Sequence, residues 1–86
     1  MHTVELLEQA LLIAEQLGYH VRHEWLGGSG GGACEFAGKK WLFVDLAWNA
    51  VEQLDQVSKA LLADPAIYTL KLSPTMKKLL GIRRTA

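Results

Sequence analysis

The stretch "WLFVDL", residues 41–46, is apolar at nearly every position. As a strand it places Trp41 and Phe43 on one side and Leu42, Val44 and Leu46 on the other, because successive side chains alternate. Such a strand needs cover on both faces and belongs at the centre of a sheet. The chain is short for that demand: 86 residues make a single domain, 1–86. A domain of this size buries only a little over ~60% of the surface its unfolded chain exposes. Half of the residues are hydrophobic and 21% are charged, a globular balance and not a disordered one.

The remaining pattern supplies the cover. Residues 3–17 read as a helix with Thr3 as N-cap, and Leu7, Ala10, Leu11, Ala14 and Leu17 form its apolar stripe, widened by Leu6 and Ile13. Gly18 stands where a left-handed residue ends a helix. "YHVRHEWL" (19–26) alternates as a half-buried strand, "ACEF" is a second strand, and "AGKK" (37–40) is a turn. A helix over about 50–63 opens on Asn49 and Glu52 in capping-box spacing. Its stripe is Ala50, Leu54, Val57 and Leu61, broadened by Val51 and Leu62. Asp64-Pro65 ends it. "AIYTLKL" (66–72) reads as a strand, Ser73-Pro74 starts a short helix, Gly81 caps it, and residues 81–86 form a frayed tail.

The expected order is α-β-β-β-α-β-α. This is an α+β two-layer sandwich: a small, mostly antiparallel sheet of three or four strands, with two helices on one face. The first three strands are expected to join as antiparallel hairpins, and 66–72 to lie parallel to 41–46 through a right-handed crossover.

Helices on one face leave the other open, and the 41–46 strand is apolar on both. Burying such a side chain contributes roughly 1.5–3 kcal/mol, so an uncovered set is costly and prone to association. Three covers are open: the chain's own segment 73–86, a second copy, or a ligand in a groove. The candidate interface residues are Trp41, Phe43, Leu42 and Val44, and a two-fold homodimer is the expected assembly.

"LGGSGGGAC" (26–34) is the second unusual stretch. It fails the P-loop pattern, because Ala33 stands where glycine is required and Lys40 where Ser or Thr is. Gly28–Ala33 fits G-x-G-x-x-A, yet no helix opens there to meet a pyrophosphate. Three roles remain for Gly28, Ser29, Gly30, Gly31, Gly32 and Cys34: a mobile hairpin tip, a tightly packed loop, or a contact for a ligand whose anionic group would sit in a nest of backbone N–H groups. Cys34 reads as a buried small hydrophobe, with a reactive thiol or a metal ligand as alternatives; His20, His23, Lys39, Lys40 and Asp45 are its candidate helpers. His20 and His23 fall on opposite faces of a strand and cannot chelate one ion together. Trp25, Trp41 and Trp48 read as core or interface anchors.

The net charge is zero, with all nine acids in residues 1–64 and five bases (Lys71, Lys77, Lys78, Arg83, Arg84) in 65–86. That is not the charge of a dedicated nucleic-acid binder, although 71–84 can touch an acidic partner. No apolar run approaches a membrane span, "MHTVELLEQ" lacks a basic n-region, and one cysteine permits no internal disulfide. A reducing cytoplasm is the expected compartment.

The segment "LGYHVR…GKKWLFVDLAWNAVEQLDQVSKALL" resembles the first part of the ImmA/IrrE-type metallopeptidase domain over residues 17–62. That family has a helix ending in LG, a glycine-containing hairpin, a strand ending near Asn or Asp, and a second helix. There the second helix carries H-E-x-x-H for zinc; here it reads "AVEQLDQVSKALL" and has no histidine. The resemblance implies a non-catalytic relative, and none of the family's ligands falls on a residue of this chain. The expectation is a non-catalytic cytoplasmic interaction module that self-associates through an apolar sheet face, with no cofactor or metal, no membrane contact, and a further protein partner left open. The alternatives are a nucleic-acid-binding regulator using 71–84 and a small thiol enzyme centred on Cys34.

Overall fold

The computed structural model describes residues 2–82. The terminal residues 83–86 of the expected tail, Arg83 and Arg84 among them, lie outside the described residues. Helix α1 (Thr3–Gln16) begins at Thr3, the residue expected to cap it: His2 is the N-cap instead, and its carbonyl accepts the Leu6 N–H at 3.1 Å. Leu7, Ala10, Ile13 and Ala14 are buried. Helix α2 (Ala50–Ala63) carries the full capping box: the Glu52 N–H donates to Asn49 Oδ1 (2.9 Å) and the Asn49 N–H to Glu52 Oε1 (3.0 Å). Leu54, Val57 and Leu61 face inward, while Val51 and Leu62, expected to broaden that stripe, are exposed.

The fold is the expected α+β arrangement with its helices on one face of the sheet, and the sheet has three strands: β1 (Tyr19–Glu24), β2 (Gly32–Phe36) and β3 (Lys39–Asp45). Their order is β1-β3-β2, with β1 parallel and β2 antiparallel to β3. The sheet is therefore mixed. Only β2 and β3 form a hairpin, whose turn is Ala37–Gly38, both in the left-handed region (φ 54 and 77), so that Lys39 and Lys40 belong to β3. The expected β1–β2 hairpin does not form. Placing β3 between its neighbours gives the most apolar strand two flanks, and residues 25–31 arch over its end to span two strand spacings, about 9.6 Å.

The expected strand 66–72 is instead a 3₁₀ turn, Pro65–Thr69. Asp64 caps it by accepting the Ala66 N–H at 3.0 Å, and the Ile67 N–H returns to the Asp64 carbonyl at 3.0 Å. Ile67 and Leu70 share the inward side at a spacing of three, which is the 3₁₀ repeat and not the strand repeat. The expected crossover to a fourth strand is thus absent, and the parallel pair is β1 with β3.

Helix α3 (Pro74–Leu80) starts on Ser73, whose Oγ accepts the Met76 N–H at 3.2 Å, and ends at the left-handed Gly81. Met76 and Leu80 are buried with the core residues of α1 and α2, and α3 packs on those two helices. Residues 73–82 therefore thicken the helical layer and do not turn back over the far face of the sheet. This removes the chain's own C-terminal helix as the cover for Trp41 and Phe43.

Candidate functional site

At the end of β3 the glycine run closes around a carboxylate. Asp45 has no exposed surface and accepts four backbone N–H bonds: Leu26 (3.0 Å) and Ala47 (2.9 Å) on Oδ1, Gly28 (2.9 Å) and Gly30 (3.0 Å) on Oδ2. Trp48 finishes the arch. Its indole N–H donates to the Gly28 carbonyl at 3.1 Å. Its ring lies over Gly30, where a Cβ would come within 2.7 Å. At Gly31 a Cβ would stand 1.8 Å from the Phe43 carbonyl oxygen, so only glycine lets the arch rest on β3. The Ser29 hydroxyl donates to the Leu26 carbonyl at 2.7 Å and tightens the turn.

The loop is thus a packed structural element and not a hairpin tip. The N–H groups of Gly28 and Gly30, candidates for an external anion, are bound to the chain's own Asp45. Asp45 is also not positioned to orient a histidine for Cys34, since both its oxygens serve the loop. Burial pushes the Asp45 carboxyl upward, but the four N–H donors outweigh it and hold the group below the usual carboxylate range.

A second polar cluster ties the layers together at the other end. Lys40 Nζ donates to Asp64 Oδ2 and to the Leu17 carbonyl, both at 2.9 Å, and the Tyr19 hydroxyl donates to the same Asp64 oxygen at 3.0 Å. The Lys40 ammonium also lies over the Tyr19 ring, 4.3 Å from its centroid. The bond from Lys40, then the Ala66 N–H, hold Asp64 below the usual carboxylate range against its burial. The bond to Asp64 raises Lys40, and burial followed by the Asp64 bond raises Tyr19. Both Asp64 oxygens, the Tyr19 hydroxyl and two of the Lys40 N–H groups bond within the fold, so the cluster reads as a structural clasp.

Both lowered carboxylates predict acid sensitivity. Their native pKa values lie below the unfolded value of about 4, so the unfolded chain binds more protons through that window. Their stabilisation is complete above about pH 5 and drains away as pH falls through the native values. The melting temperature followed by circular dichroism is expected to hold steady from pH 7 to 5 and to drop progressively below pH 4. A melting temperature unchanged at pH 2.5 would contradict both bonding networks.

The sheet's two faces differ sharply. Leu42 (1% exposed) and Val44 (2%) lie beneath the helices, so these two of the four candidate interface residues are core and cannot meet a partner. Trp41 and Phe43 point to the opposite side, half-buried only by each other and their neighbours; their rings stack at 6.2 Å between centroids, and the His20 ring sits 5.1 Å from that of Trp41. The register places Cys34 beside Trp41, and Phe36, one alternation on, is 73% exposed. The open face thus gathers His20, Arg22, Trp41, Phe43, Cys34 and Phe36. Of the other tryptophans, Trp25 is exposed and Trp48 packs on the glycine arch.

Cys34 is exposed, which corrects its expected burial. It lies on the edge strand β2 and on the open face beside Trp41, on the side away from the helices. His20 pairs with Trp41, and Trp41 with Cys34. The imidazole and the thiol are therefore two strand spacings apart, about 9.6 Å, with an indole between them. His23 lies on the helix side, Asp45 is committed to the loop, and Lys40 is held by Asp64 and the Leu17 carbonyl, so no histidine–carboxylate set assembles around the thiol. Among the described residues no three His, Cys, Asp or Glu side chains come together as a metal site, and no helix is long and apolar enough to cross a membrane.

Sequence reasoning missed Asp45 as the centre of the arch. The available signal was a single acid ending an otherwise apolar strand in a chain with a glycine run of matching reach. No family model matches this chain, and no curated protein or solved structure matches it.

Proposed function

We propose that the protein is a non-catalytic interaction module that pairs with a second copy of itself through the open face of its sheet, in the cytoplasm. The observation that carries this reading is the row Trp41, Phe43 and Phe36, which every described helix leaves uncovered while Leu42 and Val44 on the reverse of β3 are fully enclosed. Large aromatic side chains grouped on a small domain are the usual anchors of a protein interface. The polar clusters support a structural rather than catalytic reading, since Asp45 and the Lys40–Asp64–Tyr19 clasp spend their hydrogen bonds inside the fold. A lone exposed thiol fits a reducing compartment.

Light scattering across micromolar to millimolar concentration tests the reading. The expected mass rises to twice the 9.5 kDa of one chain. Trp41→Ser and Phe43→Ser each weaken association by at least about thirty-fold, the scale of an interface anchor, with the far-ultraviolet spectrum unchanged. A single-chain mass throughout the range would overturn the proposal.

A further inference from the structure

Strand β2 is one edge of the sheet, and its sequence is complementary to itself. In Gly32–Phe36, an antiparallel pairing of two copies centred on Cys34 sets Cys34 against Cys34, Ala33 against Glu35, and Gly32 against Phe36. The backbone is already arranged for this. Phe36 and Lys39 are the first and last residues of the two-residue turn and so form a hydrogen-bonded pair; alternation then turns the N–H and C=O of Cys34 toward β3 and those of Ala33 and Glu35 outward. Those outward groups are the ones that the proposed register would bond, Ala33 with Glu35 of the other copy.

The side chains agree with the backbone. Phe36 is the most exposed aromatic of the open face. Beside Phe43, in the register position of Gly32, there is an open hollow of about 400 Å³ lined by Leu26, residues 30–34 and Phe43. A Cβ at Gly32 would point toward Gln56 of α2, so this residue places nothing over the open face. An enclosed cavity of about 150 Å³ takes up benzene, so this open hollow has room for a phenyl ring. An aromatic laid across an edge glycine is a known device for pinning strand register.

The other edge is built against such pairing. Strand β1 carries Arg22, His23 and Glu24 in sequence, and the groove beside it is flanked by Glu8 and Glu15 of α1. A charged edge resists strand addition, whereas β2 holds a single charge, Glu35, whose register partner is Lys40.

We propose that two copies join through their β2 strands, antiparallel about a two-fold axis at Cys34, into a continuous six-stranded sheet in which Phe36 of each copy fills the hollow over Gly32 of the other and packs on Phe43. This rests on the self-association proposed above and moves its seam to the β2 edge, where Phe36 and Phe43 of the open face pack across it.

Cys34 serves as the reporter. A non-hydrogen-bonded antiparallel pair brings its Cα atoms to about 4.5 Å, inside the range of roughly 4.4–6.8 Å that a disulfide spans. With diamide as oxidant, two thiols give one disulfide while two electrons and two protons pass to the diamide. In the full-length protein this Cys34–Cys34 link is expected to form at a rate independent of protein concentration once the dimer is populated. Phe36→Ser, at an exposed position the fold does not need, is expected to slow linking at least ten-fold and to shift light scattering toward the single chain. Cys34→Ser is expected to remain dimeric. A dimer by light scattering whose Cys34 links only at a collisional rate, unaffected by Phe36→Ser, overturns the edge geometry and leaves the self-association reading standing. A single-chain mass with collisional linking overturns both.

Discussion

Gly31→Ala is expected to abolish the cooperative fold. The added methyl carbon would lie 1.8 Å from the Phe43 carbonyl oxygen, and that oxygen belongs to the backbone of the central strand, which has no free rotamer to yield. Either the arch lifts from β3 and surrenders its bonds to Asp45, or β2 shifts and the β2–β3 register breaks. A domain of 86 residues has roughly 4–13 kcal/mol of stability in total, and disruption of this kind costs about 4 kcal/mol or more. Gly38→Ala is the matching control. Gly38 is also left-handed (φ 77) but has open space around it, so its cost is conformational alone, about 1–2 kcal/mol. Urea unfolding of the two variants separates the cases. Comparable midpoints would show that the arch does not sit against Phe43.

Asp45→Asn is the second large effect. The substitution keeps the shape of the side chain but replaces an anion that accepts four N–H bonds with an amide that has one accepting oxygen and two donors of its own. Donors then face donors in a site closed to water, which is the costly way to break a buried hydrogen bond. The melting temperature at pH 7 is expected to fall by more than about 10 °C, beyond what an ordinary surface change does in a domain of this size. The variant is also expected to show a shallower decline below pH 4, because one of the two lowered carboxylates is gone. The amide N–H groups of Leu26, Gly28 and Gly30 lose their protection from hydrogen exchange. A melting temperature within 2 °C or so of the parent's would mean that the loop holds its shape without the carboxylate.

The helix boundaries were legible because their signals act within a few residues. Asn49 with Glu52 and Ser73 with Pro74 announce their caps directly. The same signature at Asp64-Pro65 marks the 3₁₀ turn, but the apolar run after it looks equally like a strand until Ile67 and Leu70 are seen sharing one side. Strand order was not legible. Which edges meet depends on where the apolar strand gains most cover, and nothing local to "YHVRHE" states that its neighbour is β3 and not β2. The length of the 25–31 connection was the one clue, since hairpin loops usually take 2–5 residues. The open face was half readable: alternation separated Trp41 and Phe43 from Leu42 and Val44, but which pair would stay uncovered was decided by the side of the sheet on which the helices pack. Cys34 is exposed because the register sets it beside Trp41 on the uncovered face.

The arch over β3 also separates the order of the chain from the order in which the sheet can be completed. Strands β2 and β3 are joined by a two-residue turn and can zip together from their own ends. Strand β1 precedes both, yet its only partner in the sheet is β3, and the arch that leads from it finds its carboxylate only where β3 ends. The part of the sheet that is made first in the chain is the part that must wait for the rest, and the small domain carries a distant pairing that its short, mostly local connections would not otherwise impose.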